Sequence, residues 1–199
     1  MGKSSKDKVE LNGEFDELEI DVDSCNLFIE YGRELSVDYS MPNAMVPEIE
    51  LRNSKLTIKS KNRGFRFGVA HVIDTPKIKV VIPKDTVLEK ADINVDAGNI
   101  EISELVTDKA ELDVDAGNVK FSDSTFKDLK IDVDAGNIEL KKCIIDKITA
   151  DVNAGNIEAD DCIIKGGNVE TDLGNIELNG AVEDVKTRTD LGNVEINGK

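Results

Sequence analysis

One short phrase recurs six times through the second half of this 199-residue chain. It reads VDAGNIEI at 95–102, VDAGNVKF at 114–121, VDAGNIEL at 133–140, VNAGNIEA at 152–159, TDLGNIEL at 171–178 and TDLGNVEI at 189–196. Its glycines, Gly98, Gly117, Gly136, Gly155, Gly174 and Gly192, are separated by steps of 19, 19, 19, 19 and 18 residues. A fixed period near 20 residues marks one structural unit stacked on copies of itself.

Reading down equivalent positions gives apolar columns. Ile100, Val119, Ile138, Ile157, Ile176 and Val194 form one; Ile102, Phe121, Leu140, Ala159, Leu178 and Ile196 form another. Leu105, Ser124, Cys143, Cys162 and Ala181 form a column of mostly small residues, and Thr107, Phe126, Ile145 and Ile164 follow. Ala110, Leu129 and Ile148 come next, then Leu112, Ile131, Ala150 and Val169. Val114, Val133, Val152 and Thr171 precede a last column of Ala116, Ala135, Ala154 and Leu173. Polar residues fill the gaps, so the period is two, the signature of strand. The alternation breaks around Gly-Asn, near 103–104 and near 108–109. The expectation is an all-β, single-stranded β-helix, or β-solenoid. It has coils of about 19 residues, three short strands per coil and all these columns buried.

Gly and Asn tolerate positive φ, which a sharp corner needs. Asn99, Asn118, Asn137, Asn156, Asn175 and Asn193 are expected to stack as a structural amide ladder. The phrase is not a phosphate loop, since no Lys-Ser/Thr follows and no helix begins there.

The first half is less regular. Residues 1–8 read as a disordered lead-in or a junction left by cloning, and 9–90 as irregular β coils and a cap continuous with the repeats at 91–199. IDVDSCNLFIE at 20–30 echoes the phrase as a degenerate coil, and YGRELSVDY at 31–39 continues it as strand. IELRNSKLTIKSK at 49–61 reads as a hairpin about Arg52–Lys55, and KIKVVIP at 77–83 as a strand ended by Pro83. The connection 61–76 is basic, aromatic and non-repeating. Arg63, Phe65, Arg66 and Phe67 there mark either a capping strand or a contact loop able to support weak self-association. The lone His71 has no catalytic partner suggested by spacing.

Charge is uneven. Residues 1–90 carry 14 basic and 16 acidic side chains, and 91–199 carry 11 and 25. The acidic array opposes nucleic acid and anionic lipid. No 18-residue apolar run spans a membrane. Three cysteines argue against a disulfide framework, and Cys143 and Cys162, 19 apart, are expected to stack as small buried side chains.

IKVVIP at 78–83, a short connector and the repeated V-D-A-G-N-I-E-I strands together resemble a bacterial putative-adhesin family with a β-strand-repeat domain of unknown function. The resemblance covers about residues 9–199. It implies a single-stranded β-helix and an extracytoplasmic or cell-envelope location, with no catalytic residues to carry over.

Two outward acidic columns remain. Asp96, Asp115, Asp134, Asn153, Asp172 and Asp190 lie two before each Gly; Asn94, Asp113, Asp132, Asp151, Glu170 and Arg188 lie four before. Solvation and nearby lysines are the plain way to offset their repulsion. Calcium on Asp113, Asp115, Asp132 and Asp134 is the sharper alternative. No other metal and no cofactor is expected. The functional expectation is a non-catalytic surface or envelope module that recognises a protein or glycan along a solenoid face. The alternative is a carbohydrate-active solenoid enzyme, a lyase or hydrolase, which needs a non-repeating acid cluster in a groove.

Overall fold

A computed structural model describes residues 4–60 and 75–198. It is a β-solenoid of about six turns. Its strands are β1 (Ser4–Glu10), β2 (Glu17–Ser24), β3 (Asn26–Gly32), β4 (Ser36–Pro42), β5 (Glu48–Arg52), β6 (Lys55–Lys59) and β7 (Lys77–Pro83). The regular coils follow as β8 (Leu88–Ala97), β9 (Ile100–Ser103), β10 (Val106–Ala116), β11 (Val119–Ser122), β12 (Thr125–Ala135), β13 (Ile138–Lys141) and β14 (Ile144–Ala154). The last are β15 (Ile157–Ile164), β16 (Gly167–Leu173), β17 (Ile176–Val182), β18 (Val185–Leu191) and β19 (Val194–Gly198).

Two parallel walls run the length of the stack. One is built in the order β6, β2, β8, β10, β12, β14, β16, β18. The other runs β7, β3, β9, β11, β13, β15, β17, β19. The first coil of the chain, β2 with β3, therefore lies between the β6–β7 coil and the repeats. At that end the walls continue with antiparallel strands: β5 on β6, β4 on β7 and β1 on β4.

Register follows the columns. Val114 pairs with Val133 and Val133 with Val152, and all three are buried. The bend near 108–109 falls where Asp108 and Lys109 both turn outward between buried Thr107 and Ala110. The strand runs on through it, so β10 supplies two of the three sides. Phe121 and Phe126 fill one coil edge-to-face, with ring centroids 5.0 Å apart. The small Ser124 between them leaves the room, and its hydroxyl donates to the Ser122 carbonyl at 2.8 Å.

The corners divide the work of chain reversal. Gly98, Gly117, Gly136, Gly155, Gly174 and Gly192 have φ from 148° to 157°. A Cβ on Gly136 would stand 1.7 Å from the Gly117 carbonyl oxygen, so only glycine fits. Asn in the phrase does not adopt positive φ. The second corner takes the left-handed conformation at Glu104, Asp123, Lys142 and Asp161, with φ of 51–59°.

Several expectations need correction. The lead-in is strand from Ser4 onward, held by backbone pairing to β4 rather than by buried side chains, so its polar sequence carries no sign of it. The run 31–39 breaks after Gly32 and resumes at Ser36. Ala116, Ala135, Ala154 and Leu173 are exposed, because the residue before each corner glycine has already swung out of the interior. Gly180, not Ala181, stacks on Cys162. The coil from Gly174 to Gly192 has one residue fewer at the second corner, where Leu178 and Gly180 pair with Ala159 and Cys162, which accounts for its 18-residue step; its left-handed residue is Asp184, with φ of 43°. Val194 and Ile196 occupy inner columns yet are 41% and 44% exposed, since they lie in the last coil. Two expectations hold: the hairpin about Arg52–Lys55 forms, turning at Asn53 and Ser54 with φ of 51° and 60°, and β7 ends at Pro83.

Candidate functional site

The stack displays its surface in columns, so any site along it is built by repetition. The wall that runs from β7 to β19, built in the repeats on short strands such as β9, β11 and β13, carries two such columns side by side. One is the asparagines: the Asn99 side-chain oxygen accepts the Asn118 backbone N–H at 3.1 Å and its side-chain N–H at 3.0 Å. Asn118 serves Asn137 in the same way, at 3.1 and 2.9 Å. The backbone links continue through Asn156, Asn175 and Asn193. The run starts one coil below the repeats, where the Asn26 side-chain oxygen accepts the Asn99 N–H at 3.0 Å. Cys25 occupies the glycine place there and lies beneath Gly98. The echo Ser-Cys-Asn was the available signal for Asn26, although the ladder read from sequence began at Asn99.

Beside the asparagines run Glu101, Lys120, Glu139 and Glu158. The two columns line a groove of about 500 Å³ across four coils. Lys120 donates to Glu139 at 2.8 Å, one coil away, and Glu139 with the burial opposing it holds the Lys120 amine above its ordinary value. Asn118 and Asn137 each use one amide hydrogen in the ladder, and each keeps a second for solvent or a ligand.

The acidic columns lie on the other wall, which runs from β6 to β18. Asp113 pairs in register with Asp132, and Asp132 with Asp151. Burial, with the neighbouring carboxylates, raises all three above the ordinary aspartate value. Asn153 interrupts its column and donates to Asp134 at 2.8 Å. Asp113, Asp115, Asp132 and Asp134 thus form a flat grid. Among the described residues no three His, Cys, Asp or Glu side chains converge on a point that suits a metal ion.

A second hollow, about 800 Å³, opens on the N-terminal cap. Phe28 and Tyr39 line it with Lys6, Lys8, Lys77 and Lys79, and with Asp7, Glu30 and Asp38. Lys79 and Glu30 are paired at 2.8 Å. Nothing periodic announced this cleft, since its residues come from four different strands. Arg63, Phe65, Arg66 and Phe67, and His71, lie outside the described residues.

The thiols are structural. Cys25, Cys143 and Cys162 are free and buried. Burial pushes the Cys25 thiol up to about 12. The Cys162 side chain and burial push Cys143 up as well.

The family model described as Toastrack DUF4097 matches residues 15–199. The chain belongs to the Toastrack DUF4097 family. A structure from Bacteroides fragilis described as a "putative adhesin" is similar in fold, with a TM-score of 0.63 at 14% identity, over 98% of this chain and 97% of that one. A "putative cell adhesion protein" from Clostridium sporogenes superposes with a TM-score of 0.52 at 15% identity, over the whole of both chains. No curated protein matches the sequence. Identities this low show a shared Toastrack-type fold and transfer no residue roles.

Proposed function

We propose that the protein is a non-catalytic binding or scaffold module of the cell envelope, and that it recognises a protein or glycan along the asparagine–glutamate groove. The observation that carries this reading is the groove itself: an amide is presented in every coil at one strand spacing, beside a carboxylate in three of the four coils and Lys120 in the other. A linear ligand with regularly spaced polar groups can meet such a surface with many weak contacts. Glu101, Glu139 and Glu158 favour neutral or cationic ligands over acidic polysaccharides. The descriptions of the two structural relatives as adhesion proteins support the envelope location. Acids that recur in each coil are a product of repetition and single out no general acid or base.

The test is a binding screen of the purified chain against neutral, cationic and anionic glycans and basic peptides, paired with cell fractionation. Binding that falls for Glu139→Lys with Glu158→Lys, but not for Asp132→Asn on the other wall, supports the reading. Polysaccharide turnover abolished by replacing one carboxylate would establish the enzyme alternative instead.

A further inference from the structure

The two ends of the stack are finished differently. At the N-terminal end the outermost strand on one wall is β1, whose Lys6, Asp7, Lys8 and Glu10 make a charged edge; Lys8 and Glu10 pair at 3.2 Å. Charge of this kind discourages pairing with another chain. At the other end no strand covers β18 or β19 among the described residues. Each presents a row of backbone donors and acceptors. Inner-column residues are bare there: Val194 is 41% and Ile196 44% exposed. The corner position that holds alanine in earlier coils holds Leu173 and Leu191 in the last two, 52% and 70% exposed.

Charge also changes at this plane. The outward residues of β16 are Asn168, Glu170 and Asp172; those of β18 are Lys186, Arg188 and Asp190. The acidic column of Asp113, Asp132, Asp151 and Glu170 thus ends in Arg188, on a chain of net charge −16. On this wall, a partner pairing with β18 meets less repulsion than it would meet at β16, whose outward charges are both acidic.

We infer that the C-terminal coil is a docking surface for a second copy of this chain, joined end to end about a two-fold axis with β18 paired antiparallel to its counterpart. A two-fold interface must be self-complementary, and β18 is. In the register centred on Thr189, Arg188 of each copy faces Asp190 of the other, and Leu191 faces Thr187. Arg188 and Asp190 already pair within one chain at 2.7 Å, so the interface closes a ring of four alternating charges. Head-to-tail stacking would instead set this apolar end against the charged β1 edge. The inference is independent of the groove reading, although a two-fold pair would carry two grooves.

Light scattering with sedimentation across a dilution series tests this on the full chain. The expected species is twice the 21.7 kDa chain mass, dissociating on dilution. Arg188→Asp sets acid against acid and is expected to raise the dissociation midpoint at least about tenfold. Adding Asp190→Arg restores the pairing with the charges exchanged. Ile196→Lys, which sets a charge in the bare inner row, is expected to give monomer with an unchanged β-sheet circular dichroism spectrum. A monomer at every concentration, a dimer indifferent to Arg188→Asp, or open-ended polymers would each overturn the proposal.

Discussion

At the scale of single residues, the surface columns are held by different forces, and their substitutions separate them. The asparagine ladder is exposed, so water can replace a lost partner. Asn137→Ala removes the acceptor for the Asn156 N–H and the donor to Asn118. A loss of about 1 kcal/mol in chemical denaturation is expected, and a melting curve superimposable on the wild type would remove the ladder from the stability argument. Asp132 works in the opposite direction. Burial and Asp151 raise its folded-state value above the ordinary 3.8, so its ionised form costs stability. That cost is absent below the ordinary value and appears as pH rises through the raised one. Asp132→Asn is therefore expected to stabilise the protein at pH 7 by about 0.5 kcal/mol, a figure small because the group is solvated and screened. Thermal melts at neutral and acidic pH check the sign: the gain should fade as pH is lowered through the carboxylate range. A gain that survived acidification would mean that charge is not its source.

At the scale of elements, the walls were legible in the sequence and the corners only partly. Alternation with period two, repeated every 19 residues, places Val133, Ile131 and Leu129 inside without ambiguity. The glycine corner is legible because sterics leave it one residue type. The second corner was placed near 103–104 by the break in alternation, but its left-handed residue was not, because Glu104, Asp123, Lys142 and Asp161 share a conformation and no residue type that requires it. Strand β1 was invisible for a related reason: it contributes backbone hydrogen bonds and almost no buried side chain. The cap cleft drew on strands far apart in sequence, and no spacing rule joins Phe28 to Tyr39 and Lys77. The two corners should respond oppositely to substitution. Gly136→Ala forces a methyl into the Gly117 carbonyl at φ 156° and is expected to cost about 3 kcal/mol or more. Lys142→Gly relieves a side chain held at φ 53° and is expected to be neutral or to stabilise by up to about 1 kcal/mol. Urea midpoints for the two variants, moving in the same direction, would contradict this assignment of corners.

At the scale of the whole molecule, stability is close to a sum over coils and their interfaces, and the third corner adds a rule about which coils can be neighbours. Its two columns alternate in sign: Asp108, Lys127, Asp146, Lys165 in one, and Lys109, Asp128, Lys147 in the other. Lys127 meets Asp108 at 2.6 Å, Lys165 meets Asp146 at 2.6 Å, and Lys147 meets Asp128 at 3.7 Å. Each exposed pair contributes little, but a coil out of turn places like charges together. Deleting 118–136 joins Gly117 to Asn137 and keeps every apolar column in step, yet sets Asp146 on Asp108 and Lys147 on Lys109. Deleting 118–155 joins Gly117 to Asn156 and returns Lys165 to Asp108. Both shortened chains are expected to fold with β-sheet circular dichroism, because each removes whole coils and leaves the cap and the last coil intact. Added salt screens repulsion, so the melting temperature of the single-coil deletion should rise with salt more than that of the two-coil deletion. Equal salt responses would reduce the alternating corner to solvated surface, and failure of both chains to fold would show that the coils are not interchangeable units.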